Sequence, residues 1–151
     1  MIGNKIGEGN EEGAFDYAIK FLVMSASVGL ILGLLMIISS DLTLKIFRNL
    51  DTELYQSAKS MLFIIGAVFF VKTFNSTAIV GVFRGGGDTT YSMFLEMGSV
   101  WLIGVPFAFL GAVVLKLPIQ LVIALVSLED IIKAIVSIPR IASKKWIKNV
   151  T

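Results

Sequence analysis

Long apolar stretches alternate with short polar or glycine-rich segments along almost the whole chain. The segment from Phe21 to Ser40, for example, contains no charged residue, and about 20 apolar residues form a helix that crosses a hydrocarbon core ~30 Å thick. Later stretches are interrupted by few charges rather than by polar runs. The pattern predicts an all-α integral membrane bundle of four transmembrane helices, at 14–40, 60–84, 91–115 and 119–139.

The connections between these helices carry residues typical of helix ends. Residues 41–59 mix charged with apolar residues and are predicted to follow the membrane interface, with Asp51 or Thr52 capping the second helix. At 85–90, three glycines are followed by Asp88 and two threonines. Glycine tolerates the left-handed backbone of a helix end, and Asp or Thr caps the next helix, so a tight turn is predicted there.

Composition supports a membrane protein and removes several functional classes. The chain is 56% hydrophobic, with a mean hydropathy of +0.85, against about 45–50% apolar residues in ordinary globular domains. It contains no cysteine and no histidine, which excludes thiolate chemistry, disulfides and sites that need imidazole. A net charge of +2 without a basic soluble surface gives no support for nucleic-acid binding. We predict no catalytic, metal-binding or cofactor-binding residue.

Charge asymmetry predicts the orientation of the chain in a cytoplasmic membrane. Four spans place both termini on one side, and cytoplasmic segments carry an excess of Lys and Arg. Residues 1–13 are predicted as a cytoplasmic loop and 140–151 as a basic cytoplasmic tail anchored at the interface by Trp146, whereas 41–59 and the turn at 116–118 are extracellular. The side of the termini holds Lys5, Lys20, Arg84, Arg140, Lys144, Lys145 and Lys148, against Lys45, Arg48, Lys59 and Lys116 opposite.

Small residues recur at four-residue spacing in two of the predicted helices, which places them on one face. Such faces allow two helix backbones to approach closely in a membrane. Pro106 removes a backbone hydrogen bond in the middle of the third helix, which predicts a kink. The two ladders are Ser25, Gly29 and Gly33 in the first helix and Gly104, Ala108 and Ala112 in the third.

Charged residues inside the predicted spans are candidates for function, because each is costly in a membrane unless it is paired or hydrated. Counted at about 1.5 Å per residue from the turn and the tail, they fall in one band of depth. We predict a buried polar layer that faces the inside of the bundle, composed of Lys72, Asn75, Glu96, Glu129 and Lys133, with Asp130 at the same depth. Glu129 and Lys133 have the spacing of a helical ion pair.

Alternatives stay open for this layer. Glu129, Asp130 and Lys133 would lie nearer the surface if the last helix were shorter, and Lys72 would then extend its ammonium to the interface. A buried layer would be either a structural ion-pair network or a transport site.

Four segments together resemble the multidrug and toxic compound extrusion (MATE) family. GVFRGGGDT at 81–89 resembles the hairpin that ends one of its membrane helices at the cytoplasmic side, and IGNKIGEGNEEGA at 2–14 resembles the loop before its ninth helix. WLIGVP, with Trp101 and Pro106, is similar to its eleventh helix. The segment from Leu128 through Ile147 resembles its last helix and tail, on Glu129, Lys133, Arg140 and Trp146.

The resemblance implies the last four helices of a twelve-helix transporter, which expels cationic or lipophilic compounds by alternating access in exchange for sodium or protons. The partners it implies are the bilayer, the preceding helices of the transporter and small cationic or lipophilic substrates. We assign the turn to Arg84, Gly85, Gly86, Gly87 and Asp88. In it, the glycines permit the bend, Asp88 caps the third helix and Arg84 lies at the cytoplasmic level.

The coupling carboxylates of the family lie chiefly on its first and seventh helices, and in some members on the tenth. The helix at 60–84, which matches the tenth, contains no Asp or Glu, so we assign no ion ligand to this chain. Sodium or a proton enters only as the coupling ion of the full-length family.

Other functions remain as alternatives. A lipid flippase of the same superfamily is the nearest rival among transporters. An autonomous four-helix membrane protein, acting as an oligomeric channel-like or assembly component, would use the same ladders and charges. A membrane enzyme would need an acid cluster or a nucleophile with a base, and neither is visible in the sequence. As the C-terminal part of an exporter, the chain is expected to be inactive alone, because alternating access needs two lobes.

Overall fold

The computed structural model describes residues 1–47 and 51–148, which form six helices joined by short connections. The helices are α1 (Ile2–Gly7), α2 (Glu11–Ile38), α3 (Ser40–Lys45), α4 (Thr52–Arg84), α5 (Thr89–Val114) and α6 (Ile119–Ala142). In the described part of the chain, extended backbone pairs at one isolated bridge, between Gly87 and Ile147. Arg48 of the predicted outer connection and residues 149–151 of the predicted tail lie outside the described residues.

Three of the helices, α2, α4 and α5, are long and apolar enough to cross a membrane. α6 has 24 residues, and at about 1.5 Å per residue it also has the necessary length. Its composition is less apolar, because it carries Glu129, Asp130, Lys133 and Arg140. The membrane crossing of α6 therefore stays a prediction, and it depends on how these charges are paired.

The predicted N-terminal loop contains a helix of its own. α1 forms because Ile2 and Ile6 share one face, and both side chains are buried in the core of the bundle. α2 begins at Glu11 rather than at Ala14, since the Asn10 side chain accepts a backbone hydrogen bond and caps the helix there.

The predicted outer connection holds α3 and the first turns of α4. Asp51 caps α4 as predicted, and its carboxylate accepts a hydrogen bond from the Thr52 backbone N–H at 3.2 Å. Asp41 of α3 accepts a hydrogen bond from the Tyr55 hydroxyl at 2.7 Å and lies 2.6 Å from the Lys59 ammonium. These contacts hold the short helix against α4.

Glycines bring α2 and α4 into close contact. Gly29 and Gly33 are buried, and a methyl group on Gly33 would lie 2.3 Å from the carbonyl oxygen of Gly66. A methyl group on Gly29 would lie 2.0 Å from the Thr73 hydroxyl oxygen. The close approach predicted for the first ladder is confirmed, and Gly66 is the partner that the sequence pattern did not identify. Ser25, the third member of the ladder, is half-buried and bonds within its own helix.

The second ladder differs from the prediction by one residue. Gly104 and Gly111 are buried against α6, Ala108 is half-buried, and Ala112 is exposed. A methyl group on Gly111 would lie 3.1 Å from Leu125 and 3.4 Å from Val122, so Gly111 occupies the position facing α6 that was expected for Ala112.

α5 continues through Pro106, with wide π-helical turns on both sides of it. Pro106 lies in a short α-helical stretch, Val105–Phe109, between π-helical stretches at Val100–Gly104 and Leu110–Val114. Proline has no backbone N–H and cannot donate the usual helical hydrogen bond. The π-helical turns are local adjustments of the helix to this missing bond. A further π-helical stretch, Thr77–Arg84, ends α4.

The best-packed part of the molecule is the end that holds the α4–α5 turn. Its core consists of Ile2, Ile6, Ala14, Ala18, Leu22, Ala78, Ile79, Val82, Phe83, Ile141 and Trp146. Elsewhere the apolar surfaces are largely open. In α2 and in α5, only 17% of the most apolar stretch of 18 residues is buried. These surfaces therefore face lipid or further helices.

Candidate functional site

A buried ion pair lies near the middle of α6. The Lys133 Nζ atom is 2.7 Å from Glu129 Oε1, and the two side chains are only 10% and 12% exposed. Glu129 lies roughly 15 Å along the helix from Ile119. Charges at such a position are tolerated only when they are paired and hydrogen-bonded, so the neighbouring helices must complete the site.

α5 contributes a serine hydroxyl and a glycine, which has no side chain, to the surroundings of this pair. The Ser99 hydroxyl lies 3.0 Å from Glu129 Oε1 and 3.0 Å from the Glu96 carbonyl oxygen, so it donates its single proton to one of these two acceptors at a time. A methyl group on Gly104 would lie 3.2 Å from Glu129 Oε2, so the glycine lets the carboxylate approach the α5 backbone. Ser99 was not among the predicted residues, because an isolated serine in an apolar helix usually bonds to its own backbone.

α4 closes the layer from the other side with Asn75, which is 3% exposed. Its Nδ2 atom donates a hydrogen bond to the Asp130 carbonyl at 2.8 Å, and its Oδ1 atom has no hydrogen-bond partner among the described residues. Lys72, one turn away, lies 3.9 Å from the Asp130 carboxylate and is 54% exposed. The structure thus joins Glu129 and Lys133 directly, sets Asn75 against the α6 backbone at Asp130, and places Lys72 beside the Asp130 carboxylate.

Glu96, predicted to lie in this layer, is paired elsewhere. It forms a close ion pair with the Arg84 guanidinium, and Arg84 also donates to the Ser92 hydroxyl at 3.3 Å. Arg84 therefore extends along α5 instead of staying at the level of the turn. Lys133 already balances the charge of Glu129, so Glu96 would lack a cationic partner if it pointed into the bundle. On the outer side of α5, Arg84 provides that partner. The pair borders a groove lined by Met93, Met97, Val100 and Trp101.

Asp88 does not cap α5 with its side chain, contrary to the prediction. Its carboxylate is 1% exposed and accepts hydrogen bonds from Arg140 Nε at 2.9 Å and from Lys148 Nζ at 2.6 Å. Burial by itself would raise the pKa of Asp88, but its hydrogen bonds and charge interactions with Lys148 and Arg140 outweigh burial and hold the pKa below its ordinary value. Two cations compete successfully with the backbone for this carboxylate.

The three glycines of the turn meet different steric demands. A methyl group on Gly85 would lie 2.2 Å from the Gly81 carbonyl oxygen, and one on Gly86 would lie 2.3 Å from the Trp146 ring. Gly87 has a φ of +91°, the left-handed conformation predicted for this turn. Substitution at each position would therefore strain or displace a neighbour.

Trp146 is completely buried in the bundle. The prediction that it anchors the tail at the membrane interface is therefore wrong. After α6 the chain turns back at Lys144, which has a φ of +55°. The Trp146 indole N–H donates to the Ile141 carbonyl at 3.1 Å, and the Lys148 backbone N–H donates to the Gly86 carbonyl at 2.8 Å. The indole gains more by packing on the flat glycine surface than by remaining half-solvated.

Arg140 connects α6, the turn and α5. Its guanidinium carbon lies 4.6 Å from the centre of the Tyr91 ring, a cation–π contact. Tyr91 in turn meets the Phe83 ring edge-on at 5.3 Å and donates its hydroxyl to the Val136 carbonyl at 3.2 Å. These contacts orient Arg140 toward Asp88.

Comparison with known proteins identifies the family. The family model described as MatE matches residues 1–110, from α1 through most of α5. No curated protein and no solved structure gives a significant match. Because the match covers well over half of the sequence, the chain belongs to the MatE family of membrane proteins, multidrug efflux transporters that are not enzymes.

Proposed function

We propose that the chain forms the last four helices of a twelve-helix MATE exporter and is active only together with the helices that precede them. The family match over residues 1–110 supports membership, and the order of the four sequence segments supports this portion of the transporter. In such an exporter, two six-helix lobes alternate access to a central cavity and exchange a cationic or lipophilic drug for sodium or protons.

The Arg84–Glu96 pair carries this proposal. Glu96 lies roughly 12 Å beyond Asp88 along α5, and the two side chains of the pair are 44% and 46% exposed. A half-exposed ion pair at this depth is costly against lipid. The groove beside it, which also contains Met97 and Trp101, is therefore better suited to face water or protein, as a wall of the central cavity does.

The membrane acids of this chain support an ion-coupling site on the preceding helices. Each of three carboxylates has a cationic side chain within 4 Å: Glu96 with Arg84, Asp130 with Lys72, and Glu129 with Lys133. Each of these carboxylates already has a tethered positive charge beside it, which weakens its attraction for a sodium ion. We therefore place the coupling site outside these four helices.

The basic residues around the turn support a cytoplasmic location for that end of the bundle. Arg140 and Lys148 contact the turn, and Lys144 and Lys145 lie between α6 and Trp146. Cytoplasmic segments carry the excess of basic residues. In this proposal, both described ends of the chain lie in the cytoplasm and α6 crosses the membrane as the fourth span.

An oligomer of the chain alone is the second candidate function. The same half-exposed ion pair could be covered by a second copy instead of by preceding helices. Gradient-coupled transport by the chain alone would favour this candidate.

Water accessibility of the α5 groove tests the proposed cavity. The chain contains no cysteine, so a single thiol can be placed at Met97 in the groove or, as a control, at Leu30 on α2; both side chains are more than half exposed. In vesicles that hold the chain joined to its preceding helices, with any cysteine of those helices replaced by serine, we expect Met97→Cys to react with a water-soluble maleimide, and Leu30→Cys to stay unreactive. Equal protection of both thiols would contradict a hydrated cavity at this face.

A further inference from the structure

The segment after α6 returns to the α4–α5 turn and covers it. We call residues 143–148 the strap. Trp146 places its ring on Gly86, and the Lys148 backbone N–H bonds to the Gly86 carbonyl at 2.8 Å. Within the described residues, the backbone pairing of the strap is an isolated bridge between Ile147 and Gly87, which is too short to hold a segment by itself.

The charged contacts of the strap converge on one carboxylate. Asp88 accepts a hydrogen bond from Lys148 at 2.6 Å, while Arg140 of α6 holds the other side of the same carboxylate. The Lys148 side chain is 48% exposed, whereas the Asp88 side chain is 1% exposed. The buried acid is thus fixed in place by α6, and the half-exposed lysine is the partner that can leave.

We propose that the strap is a latch that opens and closes over the turn, and that the charge of Asp88 controls it. When closed, it joins the end of α6 to the turn between α4 and α5, so that these three helix ends move together. When open, it exposes Trp146 and leaves Asp88 with Arg140 as its cationic partner among the described residues. The proposal concerns the chain itself and does not depend on the exporter function.

Proteolysis and tryptophan fluorescence measure the opening directly. Lys144 and Lys145 are exposed in the closed strap, but the chain around them is bent and must extend to enter the active site of trypsin, so we expect the cleavage rate to rise with the open population. In a Trp101→Phe background, acrylamide quenching reports on Trp146 alone, because the chain has two tryptophans. Replacing Asp88 by Asn removes a charge-assisted hydrogen bond, so we expect the cleavage rate to rise about tenfold or more and the quenching of Trp146 to increase.

A second variant and a matched control keep the test decisive. Lys148→Gln changes a half-exposed side chain and should raise both signals less than Asp88→Asn does, and the double variant should not exceed Asp88→Asn, since both act on one contact. Asp16→Asn breaks an exposed pair of similar length, 2.7 Å to Lys20, and should leave both signals unchanged.

Two results would overturn the proposal. One is a wild-type cleavage rate in either Asp88→Asn or Lys148→Gln. The other is an equal rise in cleavage at Lys59, at the opposite end of α4, because that would show unfolding of the bundle and not opening of the strap.

Discussion

At the scale of single residues, two buried carboxylates organise the described part of the chain in different ways. Glu129 is stabilised within its own helix by Lys133 and across the interface by Ser99. Asp88 is stabilised by cations distant in sequence, Arg140 and Lys148. In both cases burial is tolerated because a positive charge and a hydrogen bond replace water. Removal of one partner should therefore cost more than removal of the whole pair.

The Glu129–Lys133 pair gives the first prediction. Glu129→Gln leaves the Lys133 ammonium buried without its counter-charge, and we expect the free energy of unfolding in detergent to fall by about 3–5 kcal/mol. The double variant Glu129→Gln/Lys133→Met should recover most of this loss, because no unpaired charge remains. Denaturant titration followed by circular dichroism measures both values. Equal destabilisation by the single and double variants would count against a buried, charged pair.

The lowered pKa of Asp88 gives a prediction about pH. A carboxyl with a lowered pKa in the folded state contributes stability that is fully present above its unfolded pKa of about 3.9 and is lost as the pH falls through the lower folded value. Strap closure should therefore be constant from pH 7 to about pH 5 and be lost in stronger acid. Trp146 emission in the Trp101→Phe background measures it, and Asp88→Asn should lack this transition. A release midpoint above about pH 5 would be inconsistent with the lowered pKa.

At the scale of helices, the sequence pattern predicted where the elements lie better than which residues meet between them. Apolar stretches and helix caps located the four long helices, and the Gly29–Gly33 spacing correctly predicted close packing. The pattern did not identify Gly66 as the partner, because a single glycine in an apolar helix has no periodic signal. It also could not show that Arg84 would hold Glu96, since that pairing depends on how two helices are oriented.

The contact between α2 and α4 gives a prediction at this scale. A methyl group on Gly33 would lie 2.3 Å from the Gly66 carbonyl oxygen, a backbone atom that no side-chain rotation can move. Gly33→Ala should therefore separate the helices and lower the free energy of unfolding by about 1–3 kcal/mol. Gly98→Ala is the matched control, because nothing lies within 4 Å of its added methyl group. If both variants melted at the same temperature, the close glycine contact would be refuted.

At the scale of the whole molecule, packing is concentrated at one end. The core, the turn and the strap lie together, whereas the apolar surfaces of α2 and α5 remain open. This distribution could be expected only in part from the sequence. Composition predicted lipid-facing helices, but the Asp88–Arg140–Lys148 cluster joins residues more than fifty positions apart, and local capping rules assigned Asp88 to its own helix. Long-range charge pairing prevailed over local capping there.

The proposal that these four helices transport only together with the preceding ones also concerns the whole molecule. Efflux tests it most directly. Drug transport driven by a sodium or proton gradient would be measured in everted vesicles that contain either this chain alone or the chain joined to the reading frame upstream of Met1. We expect gradient-coupled efflux only with the longer protein. Gradient-coupled efflux by the chain alone would contradict the proposal and would show that the four helices assemble into a transporter of their own.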